Sequence, residues 1–186
     1  VLLFNWSVPD DAPSGIDGYF ISIGTSPGGS DIVKDLWTLE TAYTLTDAIG
    51  GRSYYIRVRA LDKAGNLGPY SASSDGITVD TTPPSAVVLT SGATSKNASA
   101  LELSWSISFD PETSVIEYQY ALGTTAGATD VLNWTGAGLR TSLTAGGLAL
   151  ENGKAYYVSV RAMNAAGLWS EVAGGTPVLD RVHGPA

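Results

Sequence analysis

The tryptophan of FNWSV (Trp6) returns 99 positions later in LSWSI (Trp105), and Tyr19 of GYFISIGT returns at the same interval as Tyr118 of EYQYALGT. Trp37 is matched by Trp134 at an interval of 97, and SYYIRVRALDKAGN (53–66) by AYYVSVRAMNAAGL (155–168) at 102. Order is kept over the whole stretch. The interval drifts only between apolar runs, where loops tolerate insertions. The chain therefore writes one module twice, and any fold must be one that a module of roughly 90 residues can close on itself.

Within each copy the apolar residues recur with period two. Leu2, Phe4, Trp6 and Val8 share one face of an extended run, as do Leu101, Leu103, Trp105 and Ile107 in the second copy. Tyr19, Ile21 and Ile23 are matched by Tyr118, Tyr120 and Leu122; Tyr54, Ile56, Val58 and Ala60 by Tyr156, Val158, Val160 and Ala162. Short alternating runs broken by Gly, Pro, Asp and Ser clusters predict antiparallel strands, and no stretch has a helical period. About seven strands in such a length predict a β-sandwich. The fold class expected is all-β: two tandem sandwiches, with cores centred on Trp6, Tyr19, Ile21, Tyr54, Ile56, Val58 and their counterparts.

Between the copies stands VDTTPPSA. Two consecutive prolines cannot donate ladder bonds and favour extended backbone, so the connector is short and semi-rigid. The boundaries read from this are module one at 1–80, the Thr-Thr-Pro-Pro connector at 81–84, module two at 85–180 and a tail at 181–186. Module two carries an additional apolar run, AVVLT (86–90), before its tryptophan strand, which reads as a first strand. Module one has no equivalent. Its opening residues lack a basic start, so the chain is expected to open inside a domain. The first strand of module one is expected either to lie upstream and to have been trimmed, which is the simpler reading, or to be supplied by another chain, with self-association through the incomplete module.

Composition removes several classes of chemistry. The 186 residues include no cysteine, one histidine (His183), and 18 Asp plus Glu against 10 Lys plus Arg, for a formal charge of −8. Disulfides, thiolate metal sites and Ser-His-Asp catalysis are not expected. No basic stripe is available for nucleic acid or anionic lipid. No apolar run approaches the roughly 18 residues of a membrane-spanning helix.

The tryptophan strand, and the Y-x-[VI]-x-V-x-A strand ending in a Gly-containing turn, resemble the fibronectin type III fold. The resemblance covers nearly the whole chain. It implies an immunoglobulin-like sandwich in which Trp6 and Trp105 are the buried second-strand tryptophans. It also implies that Tyr54 and Tyr156 are corner tyrosines bonding nearby backbone. The strings IGTSPGGSDI, RALDKAGN and VDTTPP resemble modules repeated in large bacterial or archaeal secreted and surface proteins. No Arg-Gly-Asp loop of the animal adhesion type occurs.

Four features could carry chemistry. The glycine stretch IGTSPGGSD (23–31) half-matches a phosphate loop, but Ser30 and Asp31 stand where Lys-Ser/Thr is needed. Its repetition as LGTTAGATD (122–130) after the same Tyr-bearing strand makes it a turn of the module, with the recurring Gly-Thr and Asp positions doing the structural work. Acidic loops (Asp10, Asp11, Asp17; Asp110, Glu112, Glu117) are the one place where calcium could be held, yet no D-x-[DN]-x-[DN]-G string supports it. The alternate face of the strands sends Phe20, Trp37, Tyr55, Arg57 and Arg59 outward in copy one. In copy two it sends out Trp134, Tyr157 and Arg161. Aromatic rings interleaved with arginine suit sugar rings or a protein partner. The competing reading is internal: Trp37 over Arg59 and Trp134 over Arg161, as cation–π pairs sealing each sheet. Phe20 and Arg57 are not repeated. Finally, N-x-S/T strings stand at Asn5, Asn97 and Asn133, which a host with glycosylation machinery could modify.

The function expected from these residues is non-enzymatic, with no catalytic residue, metal or cofactor assigned. It is that of a spacer or interaction segment of a larger extracellular or cell-surface protein, adhesin-like or stalk-like, with a protein or glycan partner. The alternatives are carbohydrate-contacting accessory modules of an extracellular hydrolase, and a filament subunit assembled by strand addition.

Overall fold

In the computed structural model the alternating runs form strands, and no helix occurs among the described residues, which are 1–11, 14–90, 94–95 and 98–180. His183, Asn97 and the tail lie outside them. The chain divides into two compact units, Val1–Asp80 and Thr81–Ala186. Among the described residues no helix is long and apolar enough to cross a membrane.

Unit 1 comprises β1 (Leu2–Asn5), β2 (Ile16–Gly24), β3 (Val33–Thr38), β4 (Ala42–Leu45), β5 (Ser53–Asp62) and β6 (Ile77–Thr78). They form two antiparallel sheets, β1-β4 and β3-β2-β5-β6. Phe4 and Leu45 from the first pack on Ile21, Ile23, Tyr54 and Ile56 from the second. This is the sandwich that period-two patterning requires, since one face of each strand must leave water.

Unit 2 repeats the plan with β7 (Thr94–Ser95), β8 (Ala100–Ser104), β9 (Val115–Gly123), β10 (Leu132–Gly138), β11 (Ser142–Gly146), β12 (Ala155–Asn164) and β13 (Ala173–Asp180). Its sheets are β11-β8 and β10-β9-β12-β13-β7. The core joins Leu101, Leu103 and Trp105 to Tyr118, Leu122, Tyr156, Val158 and Val160. In both units a corner tyrosine accepts a backbone bond at the sheet end. The Tyr54 hydroxyl takes the Ile49 N–H at 2.9 Å, and that of Tyr156 takes Glu151 N–H at 2.8 Å.

The units differ at their first strand. In unit 2, residues 85–90 run antiparallel beside β8. Thr90 N–H donates to Ser104 C=O at 2.8 Å, Ser106 N–H donates to Val88 C=O at 2.8 Å, and Leu89 faces Trp105. Val87 enters the core at 3 % exposure. The chain then crosses sheets, and β7 pairs in parallel with β13. Among the described residues of unit 1, β1 is paired on the β4 side only.

Two expectations need correction. Val8 and Ile107 do not extend the buried face; both are exposed. The pleat ends one step earlier: after Trp6 N–H bonds Thr41 C=O at 3.0 Å, and Trp105 N–H bonds Thr141 C=O at 2.9 Å, the chain leaves the ladder. In unit 1, Trp6 and Val58 are only half-buried, whereas Trp105 and Val160 are buried. Among the described residues nothing runs beside β1 as residues 85–90 run beside β8.

Each outer edge strand is bulged at the same place. On β3, Lys34 and Asp35 stand opposite the single Ser22, between the pairs Ile21–Leu36 and Ile23–Val33. On β10, Asn133 and Trp134 stand opposite Ala121, between Leu122–Leu132 and Tyr120–Thr135.

Candidate functional site

Register on β2 and β5 places Phe20 opposite Arg59, Ser22 opposite Arg57 and Gly24 opposite Tyr55. The β3 ladder adds Trp37 beside Phe20. These residues share the outward face because they alternate with the core residues Ile21, Ile23, Tyr54 and Ile56.

On that face the side chains form one network centred on Tyr70 and Asp35. The Arg57 guanidinium lies 4.2 Å over the Tyr70 ring, and Arg59 lies 4.6 Å over the same ring and 5.5 Å from that of Phe20. Arg59 Nη2 donates to Asp35 Oδ1 at 2.8 Å, and the Tyr70 hydroxyl donates to the same oxygen. The Tyr70 hydroxyl donor, then the Arg59 charge, hold the Asp35 carboxyl below its usual range, against the opposing pull of desolvation. Asp35 has φ 48°, a left-handed conformation unusual outside glycine. Its N–H is held by Ser22 Oγ at 3.1 Å.

Trp37 does not lie over Arg59. It packs against Phe20, ring centroids 5.1 Å apart, and over Gly18, where a Cβ would come within 2.3 Å of the indole. That glycine is required for close approach. Trp37 remains 39 % exposed. Tyr55 stands apart, four residues or about 13 Å along the strand from Arg59, packed on Gly76.

In unit 2 the Arg161 guanidinium is sandwiched 4.2 Å from the Trp134 ring and 4.1 Å from the Trp169 ring. Its Nη2 donates to Gln119 Oε1 at 2.8 Å. Tyr157 is outside this stack, across from Gly123 and Pro177. Sequence reasoning missed Tyr70 and Trp169. Both lie in irregular segments after β5 and β12, where no alternation assigns a side chain to a face.

The glycine loops are closed by their own aspartates. Asp31 accepts from Thr25 N–H at 3.0 Å and from Thr25 Oγ1 at 2.8 Å. Asp130 accepts from Thr124 N–H at 2.9 Å and Thr124 Oγ1 at 2.7 Å. A Cβ on Gly24 or Gly123 would strike backbone across the loop at 2.4 or 2.3 Å. The amide that a phosphate would need is spent on a carboxylate.

Among the acidic residues, Asp110 is buried. Its Oδ1 accepts from the N–H groups of Glu112 (3.0 Å) and Thr113 (2.7 Å), and its Oδ2 from Asn164 Nδ2 at 3.1 Å. Desolvation pushes its carboxyl up, but these donors outweigh it and the net direction is down. Glu117 takes Gln119 Nε2 at 3.2 Å. Asp17 is an exposed residue of β2, and Asp10 is exposed too. In unit 1 the positions matching Asp110 and Asn164 are both carboxylates, Asp11 and Asp62, and Ser14 Oγ lies 2.9 Å and 3.2 Å from them. Of the N-x-S/T sites described, Asn5 and Asn133 are exposed.

Unit 1 also holds a cleft of about 720 Å³ between β1 and β5, walled by Trp6, Tyr19, Ile56, Val58 and Leu67, with Asp10, Asp11 and Asp62 among its lining. Of its lining, Asn5, Trp6 and Ser7 correspond by the repeat to Ser104, Trp105 and Ser106, beside which residues 85–90 run in unit 2.

Residues 2–77 match the fibronectin type III domain family. Over 171 residues the chain is 29 % identical to mouse Fibronectin type-III domain-containing protein 3A, covering 90 % of this chain and 13 % of that protein. Among solved structures it is similar to the chicken CNTN1 FN1–FN3 domains, with TM-score 0.55, 19 % identity, and 96 % of this chain and 61 % of that one covered. It is also similar to the CbhA fibronectin(III)-like modules of Clostridium thermocellum, with TM-score 0.56, 12 % identity, and 96 % and 87 % covered.

Proposed function

We propose that this tandem of fibronectin type III modules is a non-catalytic spacer and interaction segment of a larger secreted or cell-surface protein. Domains of this family are commonly non-catalytic structural or interaction modules. The observation that carries the reading is the Trp134–Arg161–Trp169 sandwich, together with the Arg59–Asp35–Tyr70 network. The groups most suited to gripping a ligand on the outward faces are engaged within the module, where they brace the sheet. With the corner tyrosines and the closed Thr-Asp loops, this makes each sandwich a stiff body whose contribution is geometric.

The test is replacement within the parent protein. An unrelated pair of β-sandwich domains of equal residue count should preserve the separation and surface display of the parent's flanking domains, and a Gly-Ser linker of equal length should not. Loss with the sandwich pair, or retention with the flexible linker, would refute a geometric role.

A second reading, contact with sugar rings, draws on the half-exposed Trp37 stacked on Phe20. Glycan-array binding abolished by Trp37→Ala would favour it; a blank array would reject it.

A further inference from the structure

We propose that Asn152 is a site of spontaneous backbone modification: its side-chain amide is displaced by the nitrogen of Gly153, and the turn before β12 converts slowly to aspartyl and isoaspartyl forms. Unit 1 is built without this chemistry.

Asn152-Gly153 is the one Asn-Gly pair of the sequence. Asparagine is among the thermolabile residues, and a following glycine exposes it most, because no Cβ shields the attacking nitrogen. The fold leaves that nitrogen uncovered. Residues 151–154 are all exposed. Lys154 N–H donates to Glu151 C=O at 3.1 Å and Gly153 has φ 80°, so Asn152 and Gly153 are the central residues of a type II turn. Nothing lies within 4 Å of a Cβ built on Gly153, which leaves room for the Asn152–Gly153 peptide to rotate.

The other half of the molecule supplies the contrast. The corner-tyrosine bonds align Ile49 with Glu151, and therefore Gly50 with Asn152 and Gly51 with Gly153. Gly51 has the same left-handed backbone, φ 75°, but its N–H is tied to Val79 C=O at 2.8 Å and no carboxamide precedes it. Among the described residues no carbonyl takes the Gly153 N–H. The other described asparagines are protected. Asn5 and Asn133 precede tryptophan. Asn66 precedes leucine and donates to Asp62, and Asn164 is buried and donates to Asp110.

The step balances with water alone. The Gly153 amide loses its proton to hydroxide and attacks Asn152 Cγ. The new N–Cγ bond closes an imide ring, the Cγ–Nδ2 bond breaks, and the nitrogen leaves as ammonia with a proton from water. Water then opens the ring at either carbonyl. One opening gives aspartate, the other isoaspartate, and nothing is oxidised or reduced.

Both products set a carboxylate beside Glu151, and isoaspartate also adds a methylene to the main chain between Glu151 and Lys154. That is the turn where the Tyr156 hydroxyl takes Glu151 N–H at 2.8 Å and Lys154 Nζ meets Glu151 Oε1 at 2.6 Å. Lengthening it draws the Glu151 N–H off the corner tyrosine, so the modification loosens unit 2 alone.

The experiment incubates the 186-residue chain in mildly alkaline heavy-oxygen water, returns it to ordinary water and digests it with trypsin. Fragment 141–154 carries Asn152 and no other asparagine. Label is expected in this fragment and absent from those holding Asn5, Asn66, Asn133 and Asn164, and an isoaspartate methyltransferase should methylate the same fragment. Asn152→Gln should abolish both signals. In the aged chain the Glu151 amide should exchange about tenfold faster, as loss of one hydrogen bond predicts, with the Ile49 amide unchanged. An intact Asn152 in the folded chain, while the free peptide 141–154 converts under the same conditions, would overturn the proposal. Label spread equally over the other asparagines would overturn it too, and conversion without faster Glu151 exchange would overturn the loosening of unit 2.

Discussion

Val58 and Val160 occupy the same position of the repeat, and the difference between their surroundings predicts a difference in stability. Val160 is 0 % exposed, at the centre of the unit 2 core. Val160→Ala removes two methyl groups, at about 0.8 kcal/mol each for transfer alone. The void left in a closed core raises the loss to about 2–3 kcal/mol. Val58 lines the open cleft and is half-buried. Val58→Ala forfeits roughly half the transfer free energy and opens no new void, for about 0.5–1 kcal/mol. For domains of this size 1 kcal/mol is about 4–8 °C. Val160→Ala should therefore lower the melting temperature of unit 2 by about 10–20 °C, and Val58→Ala that of unit 1 by about 3–6 °C. Scanning calorimetry of the single variants and the double variant identifies which transition moves. Equal shifts, or a larger one for Val58→Ala, would refute the conclusion that the core is less closed around Val58 than around Val160.

Two further outcomes are expected. Thr25 amide and hydroxyl donors lower the Asp31 carboxyl from its ordinary 3.8, and the Thr124 hydroxyl and amide do the same for Asp130. Their stabilisation is thus complete above that value and lost as pH falls through the lower folded one. Exchange of the Thr25 and Thr124 amides, corrected for intrinsic rate, should be flat between about pH 7 and 5 and accelerate below about pH 4; a flat profile throughout would count against the loop locks. Arg161→Lys should cost unit 2 about 1 kcal/mol in urea unfolding, because an ammonium cannot be stacked on both faces by Trp134 and Trp169 while bonding Gln119; an unchanged midpoint would argue against the sandwich as a brace.

The sandwich fold was legible because alternation is a local signal and the repeat supplied each strand twice. Ile21 and Tyr118 find their side of the sheet from their immediate neighbours. The loop geometry was legible too, since Thr25 and Asp31 recur as Thr124 and Asp130 while Gly29 becomes Ala128. What could not be read was how the outward side chains associate. Trp37 settles on Gly18 and Phe20, and Arg59 turns to Asp35 and Tyr70. Tyr70 belongs to a Gly-Pro segment whose path no period reveals. Asp35 reaches Arg59 only because a bulge gives it a positive φ, which nothing in VKDLW announces. The depth of the core at Trp6 depended on a strand beside it, information that does not reside in the tryptophan strand.

The bulge at Lys34–Asp35 has a consequence for how such a chain survives its own synthesis. Neighbouring modules built from the same strands present near-identical sheet borders at very high local concentration, the condition under which one module's border can zip onto the next before either has closed. An extra residue twists the border away from a flat template, and at Asp35 the twist is fastened by Ser22, Arg59 and Tyr70. The second copy keeps the extra residue but fastens it with different side chains, Trp134 on Arg161. Two borders alike in backbone but unlike in surface make poor partners for each other. Grafting the residues of one bulge onto the other would restore that likeness and send part of the refolding chain into cross-paired species.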